Sequence, residues 1–273
     1  MIRDSRTRCV ICPRLCGVNR QRDERGFCRA GSGVTIAETS VTDASQEKLL
    51  RGDGRTAQLF FSRCTLRCVF CSNYGISLQG YGERRSEEEL AAELDSLGGR
   101  GVSAAFFVTP DQHLPWIADV VAQWRRRAPG IGAFCVTSGY LNHEIVDEMM
   151  ALFDTIIVSL KPIAERDSQA LVGRADYWRS ASLVLEKAAA ERPGRRFPPC
   201  IVRIVVLPGR PDIVRGQLES LASVVPLKTP INFVDFRPSY LWGEYGEWRR
   251  NNAEERSAAL EYAHETGFES IIE

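Results

Sequence analysis

The chain has 273 residues, 44% of them apolar and 26% charged, with 35 basic and 35 acidic side chains and a formal net charge of zero. A chain of this size buries one large core, and its charge balance offers no global field for nucleic acid or an anionic membrane. No apolar run approaches the ~20 residues of a membrane span. The opening MIRDSRTRCV lacks the apolar stretch of a secretory signal, so a cytoplasmic location is expected.

Residues 1–55 are rich in Gly, Arg and turn formers and show little sustained periodicity. This predicts a small irregular N-terminal segment, ordered by something other than a core of its own. From residue 56 onward the pattern becomes regular and predicts a second unit, 56–273. Apolar, β-branched or aromatic runs occur at 57–61 (AQLFF), 103–108 (SAAFFV), 131–136 (IGAFCV), 154–160 (DTIIVSL), 200–206 (CIVRIVV) and 231–236 (INFVDF). Helix-like segments lie between and after them, at 86–97, 114–127, 141–153, 176–191, 212–224 and 253–267. Ser86 followed by Glu89 forms a capping-box signature ahead of the first helix. Six strand–helix units predict an α/β fold with a parallel sheet, and runs without alternation fit strands buried on both faces. Right-handed crossovers curve such units into an incomplete (β/α)6 barrel. An open, doubly wound six-stranded sheet is the alternative.

In either arrangement the active site lies at the C-terminal strand ends. Those ends carry, in order, a cysteine triplet, Thr109–Pro110, TSGY (137–140), Lys161–Pro162, LPGRPD (207–212) and RPSY (237–240). Each is ordinary turn chemistry taken singly. Together with the cysteines they suit a ligand pocket. Asp111 and Tyr140 are candidate substrate contacts. His113 reads foremost as a solvated loop residue, with a general acid–base or substrate-orienting role as its alternative. His143 and His264 fall on helices and receive no role.

Nine cysteines in a chain expected in a reducing compartment point to metal or redox chemistry rather than disulfides. Cys135 and Cys200 sit singly in strand-like runs and read as small buried hydrophobes. Cys64, Cys68 and Cys71 occupy eight positions behind the first strand, at C-x3-C-x2-C spacing. Thiolates prefer zinc and iron–sulfur clusters, and a four-iron cube ordinarily takes four of them. Three leave one iron open to a ligand that is not protein. Cys9, Cys12, Cys16 and Cys28 form a complete set of four at C-x2-C-x3-C-x11-C. That set suits structural zinc and an auxiliary iron–sulfur cluster alike. Metal there would order a segment that has no core.

CTLRCVFC (64–71) resembles the C-x3-C-x-aromatic-C signature of radical S-adenosylmethionine (SAM) enzymes, which are built on an incomplete barrel. CPRLCGVNR…GFCRAG, CVFCSNYGIS, VTP, TSGY, LPG and FRPSY, in that order, are similar to proteins of the pyruvate formate-lyase activating enzyme group that carry an additional N-terminal cysteine segment. The resemblance covers nearly the whole chain. It implies a [4Fe–4S] cluster on Cys64, Cys68 and Cys71, with SAM on the open iron. Reductive cleavage of SAM then gives a 5′-deoxyadenosyl radical that takes hydrogen from a substrate. By the same resemblance Phe70 packs on the adenine, and Asn73 and Lys161 hold SAM. Thr109 and Pro110 offer backbone carbonyls to its amine, and Ser138 of the TSGY turn joins these contacts. Arg203 either reaches the cofactor or forms a structural ion pair. Lys161 is one of only four lysines in an Arg-rich chain.

The chain departs from its relatives at three places, one of them the stretch DASQEKLLRGDGRTAQ before the first strand, which lacks the His and the paired Glu followed by Pro typical of the group. Arg63 stands where they usually carry Gly, and Ser159 where they carry an acidic residue. The departures at Arg63 and Ser159 favour a small-molecule or peptide substrate over the alternative, an activase that installs a glycyl radical on a partner enzyme. Either enzyme needs an electron donor such as flavodoxin or ferredoxin. The reading from another class is a zinc-stabilised binding protein without activity.

Overall fold

The computed structural model describes residues 1–43, 50, 54–238 and 249–272. In chain order the strands and α-helices are β1 (Val34–Thr42), β2 (Arg55–Phe61), β3 (Glu83–Arg85), α1 (Glu87–Gly99), β4 (Val102–Val108), α2 (Leu114–Arg127), β5 (Gly132–Thr137), α3 (Val146–Leu152), β6 (Thr155–Leu160), α4 (Glu165–Val172), α5 (Tyr177–Ala189), β7 (Cys200–Val206), α6 (Pro211–Leu221), β8 (Ile231–Asp235), α7 (Ala253–Glu265) and β9 (Ile271–Ile272). One sheet holds them in the order β3-β1-β2-β4-β5-β6-β7-β8-β9. From β2 to β9 every neighbouring pair is parallel, and β1 and β3 are added antiparallel at the β2 edge. The six strands read from the sequence are the six central ones. The sheet curves without closing, as an incomplete barrel.

The short strands β3 and β9 at the sheet edges were not read from the sequence, and two longer elements also differ from that reading. β1 lies inside the stretch expected to be irregular, and it extends the sheet. Only Val34 and Ile36 of its nine residues are buried, so its apolar signal is too sparse to register as a core strand. The helix α4 was not expected either. Its eight residues bury only Ser168, Leu171 and Val172, less than a sustained helical stripe. The capping box on α1 forms as expected. Ser86 Oγ accepts from Glu89 N at 3.1 Å and Glu89 Oε2 accepts from Ser86 N at 2.7 Å, stabilising the helix start by about 1 kcal/mol.

Alternate strand residues divide between two cores. On the helix side Phe107 is fully buried, with ring centroids 5.3 Å from Phe153, 6.1 Å from Phe61 and 6.2 Å from Trp124. Burying a side chain of that size contributes about 1.5–3 kcal/mol. Cys135 and Cys200 belong to this core, at 0% and 1% exposure, where the sequence reading put them. The concave side holds a smaller cluster of Phe106, Phe134, Val136, Ile157 and Ile201. Phe197, just before β7, packs edge-on against Phe134 at 5.0 Å and floors the cup. Further along the same face the residues turn polar. Ser159 and Arg203 stand opposite each other in register on β6 and β7, and Asn232 faces Arg203 from β8. The parallel strands thus run from an apolar floor to a polar mouth at their C-terminal ends.

Candidate active site

The loop after β2 carries Cys64, Cys68 and Cys71 and ends in a single π-helical turn, Gly75–Gln79. Its geometry is set by backbone contacts on both sides. Arg67 and Val69 donate to the carbonyls of Val172 and Leu171 at the end of α4, and Arg63 donates to Ile76 O at 3.0 Å. Cys68 is buried, and Cys64 and Cys71 are partly so. Donors face two of the sulfurs. Leu66 N lies 3.5 Å from Cys64 Sγ, and Ser77 Oγ lies 3.0 Å from Cys71 Sγ. Burial pushes the Cys64 thiol up to about 12 and Cys68 higher still, while the Lys161 ammonium pulls both down. A thiolate in so dry a place needs a cation beside it. Phe70, 8% exposed, packs in the same core as Cys68. The Asn73 carbonyl receives Ile76 N and Ser77 N and so opens the π turn.

Thr109 and Pro110 follow β4. Thr109 has φ +56°, in the left-handed region that disfavours a β-branched residue. Arg63 repeats the pattern with φ +74°, a conformation that glycine adopts without strain.

At the next strand ends Ser138, Lys161 and Tyr177 are tied together. Lys161 N donates to the Tyr177 hydroxyl at 3.0 Å, which donates to Ser138 O at 2.7 Å. Gln217 Nε2 on α6 donates to Lys161 O at 2.9 Å. Lys161 Nζ donates to Ser159 Oγ at 2.8 Å, so the hydroxyl at the departed position holds the ammonium that an acidic group would otherwise pair. Ser159 in turn stands beside Arg203 in the sheet. The structure therefore gathers Ser138, Lys161 and Arg203 at one end of the cup, with Lys161 in electrostatic reach of Cys64 and Cys68. Ser239 and Tyr240 of the RPSY turn lie outside the described residues.

Three expectations change. His113 is not a solvated loop residue. It is 1% exposed, its Nε2 lies 2.9 Å from Ser62 O, and burial beside Arg20 pushes it down to about 4. It is a neutral clamp on the end of β2, too dry to serve as a solvent-facing acid or base. Asp111 and Tyr140 are both 0% exposed rather than open to a pocket. Asp111 Oδ2 accepts from Thr137 Oγ1 at 3.0 Å, Oδ1 has no hydrogen-bond partner, and burial raises the carboxyl to about 7. Tyr140 packs in the helix-side core with its hydroxyl 3.4 Å from the Asp176 carboxylate.

The sequence reading passed over Gln112, which anchors the whole corner. Its Nε2 lies 2.8 Å from Ser62 O, 3.1 Å from Arg63 O and 2.8 Å from Thr109 O. Arg20, 1% exposed, donates to Gln112 O and to Gly31 O. No periodicity marks such residues. A Gln beside a His directly after a strand end was the available hint.

Arg20 also connects to the second cysteine set. Cys9, Cys12, Cys16 and Cys28 line one cavity together with Arg14, Arg20 and Gly26. Gly26 is required there, since a Cβ at that position would come within 2.8 Å of Cys16 Cβ and Sγ. Burial pushes Cys12 up to about 12 and raises Cys28 as well. Among the described residues no group of three or more His, Cys, Asp or Glu side chains is already drawn together around a metal position. The two cysteine sets adjoin: Arg14 Nε donates to Thr65 O at 3.0 Å and Arg67 Nη2 donates to Phe27 O at 3.2 Å.

The uncharacterized protein MJ0674 of Methanocaldococcus jannaschii is 36% identical over 69 residues, which are 25% of this chain and 19% of the relative. A solved structure described as native anSMEcpe with bound AdoMet superimposes with a TM-score of 0.51 at 12% identity, over 77% of this chain and 61% of that one. The chain thus spans less than two thirds of either, and the second likeness speaks for the fold alone. The sequence model of the Radical SAM superfamily matches residues 59–219, from β2 and its cysteine loop through α6. With more than half its length inside that match, the chain belongs to the radical SAM superfamily, whose members pair a [4Fe–4S] cluster with S-adenosylmethionine.

Proposed function

We propose that Cys64, Cys68 and Cys71 carry a [4Fe–4S] cluster whose open iron takes SAM, and that the enzyme abstracts hydrogen from a small-molecule or peptide substrate in the cup. The observation that carries this reading is the placement of three thiols, and no fourth, on one loop at the C-terminal end of β2. That loop faces the polar mouth formed by Ser138, Lys161 and Arg203. When bound, the cluster and SAM supply reductive cleavage to methionine and a 5′-deoxyadenosyl radical. The chain's own residues do the rest. Lys161 offers its ammonium to the SAM carboxylate. Phe70 and Asn73 hold the adenosyl side, and the left-handed turn at Thr109 and Pro110 presents carbonyls to the amine. Ser138 and Arg203 bound the pocket, and the apolar floor excludes water from below.

Cys9, Cys12, Cys16 and Cys28 hold a second metal centre in this reading, with an iron–sulfur cluster first and zinc as the outcome that metal analysis separates from it. A one-electron donor of the flavodoxin or ferredoxin kind supplies the reductant in the cytoplasm. Among the described residues no helix is long and apolar enough to cross a membrane. Arg63 and Ser159 set this chain apart from activases, and a glycyl radical partner is therefore the second reading. Anaerobic reconstitution tests the proposal. The wild type should bind close to eight irons and form 5′-deoxyadenosine with SAM and dithionite. The Cys64/Cys68/Cys71→Ala variant should keep about half the iron and form none. Iron near four in the wild type and zero in the variant, with zinc retained, assigns zinc to the N-terminal set. A colourless zinc protein inert toward SAM refutes the enzyme reading.

A further inference from the structure

The chain is neutral overall, but its charge is not evenly spread. Residues 1–33 contain eight Arg against three carboxylates, a formal +5, and the remainder carries the compensating negative charge. This cationic segment lies against the cysteine loop. Phe27 is 38% exposed, and the Arg14 guanidinium sits 3.2 Å above its ring centroid with Arg67 at 4.9 Å. Leu15, 59% exposed, follows Arg14 directly. Arg25 and Arg29, both exposed, are near enough to Arg63 and Arg67 to act on the Arg63 charge.

Several arginines elsewhere in the molecule meet carboxylates, as Arg125 meets Asp154 and Arg127 meets Asp95. Here Arg25 meets Asp23, whereas Arg14, Arg29, Arg63 and Arg67 pair with no carboxylate among the described residues. Arg14 and Arg67 lie over a half-exposed aromatic ring, and Arg25, Arg29 and Arg67 act on the Arg63 charge, so like charges repel one another in the free protein. An anionic partner relieves that repulsion, and the ring supplies the apolar contact at its centre.

We propose that this face, centred on Phe27 and rimmed by Arg14, Arg25, Arg29 and Arg67, docks an acidic one-electron carrier protein. The inference rests on the radical SAM reading. What singles out a redox carrier is place. The face lies next to Cys28 in sequence and one hydrogen bond from Arg67, between Cys64 and Cys68. Electron transfer falls steeply with distance, and a donor seated there stands close to both cysteine sets. The exchange is one electron out of the reduced carrier and one into the enzyme, with no proton or group transferred.

The test uses the cluster-loaded protein, an acidic flavodoxin as probe, and two variants that lower net charge equally, Arg25→Gln/Arg29→Gln at the face and Arg196→Glu beside the floor. Binding is measured by titration calorimetry at 50 and 500 mM salt. The face variant should bind about tenfold more weakly at low salt, as two exposed charge contacts imply, and the difference should vanish at high salt. Reduction by flavodoxin should slow in parallel, while dithionite-driven formation of 5′-deoxyadenosine stays at the wild-type rate. Arg196→Glu should match wild type throughout. Equal weakening in both variants, no weakening in either, or tighter binding of a single-stranded oligonucleotide than of flavodoxin would overturn the proposal. Absence of dithionite-driven turnover in the wild type refutes the radical SAM reading instead, and the binding titration still decides whether the face docks an acidic protein.

Discussion

The Arg63 guanidinium lies across the α-carbon of Gly80, so close that a Cβ on Gly80 would collide with Arg63 Cζ, Nε and Nη1. The two residues bracket the cysteine loop and its π turn, and both have left-handed backbones, φ +74° and +79°. Before the first cysteine this chain carries a long side chain that lies against residue 80, which has none. Gly80→Ala should therefore destabilise the protein by about 1–2 kcal/mol from backbone strain, plus the displacement of Arg63. In an Arg63→Gly background the collision disappears, and the same substitution should cost measurably less. A double-mutant cycle in urea reads the coupling. Strict additivity would show that the contact carries no energy.

Gln112 supports three carbonyls with one amide group, two of them belonging to the residues just before Cys64. Gln112→Leu keeps the shape and leaves those carbonyls dry and without that donor. A loss of about 2–4 kcal/mol is expected, seen as a lower denaturation midpoint. Iron uptake should fall as well, because the loop is no longer held. Normal iron content in a destabilised Gln112→Leu protein would confine the residue to a packing role.

Lys161 has its ammonium on Ser159 and forms no ion pair with a carboxylate among the described residues. If it receives the SAM carboxylate, Lys161→Met should weaken SAM binding at least tenfold, about 2 kcal/mol or more. Iron content should stay at the wild-type level. A parallel fall in iron would place the lysine in support of the thiolates instead, since its charge also acts on Cys64 and Cys68.

Two buried groups at the same strand end respond to pH in opposite senses. His113 is depressed from 6.5 to about 4, mainly by burial. Below pH 6.5 the unfolded chain binds a proton that the fold refuses, so stability falls as pH drops from about 6.5 toward 4. Asp111 is raised from 3.8 to about 7, again by burial. Its neutral form is the one the fold prefers, and stability is lost as pH rises through 7. Metal-free His113→Gln should therefore lose the acid-side decline, worth of order 2–3 kcal/mol. Asp111→Asn should gain stability relative to wild type as pH rises from 4 to 8. Parallel stability–pH curves for wild type and both variants would contradict these shifts.

The barrel strands were legible because buried parallel strands announce themselves as unbroken apolar runs. β1 escaped because Glu38, Thr39 and Ser40 interrupt a strand whose buried side chains are all at one end. α4 escaped because a helix of eight residues with a late apolar face looks like a loop. The cysteine loop was legible from spacing alone. Gln112, Arg20 and Tyr177 were not, because a side chain that satisfies distant carbonyls leaves no local pattern. His113 and Tyr140 were misplaced for a related reason: a polar residue after a strand reads as solvent-facing unless its distant partners are known.

The floor of Phe106, Phe134, Ile157, Ile201 and Phe197 closes the cup at the end away from the polar side chains of Ser159, Arg203 and Asn232. In the proposed reaction a radical formed at the C-terminal strand ends has apolar side chains beneath it rather than water.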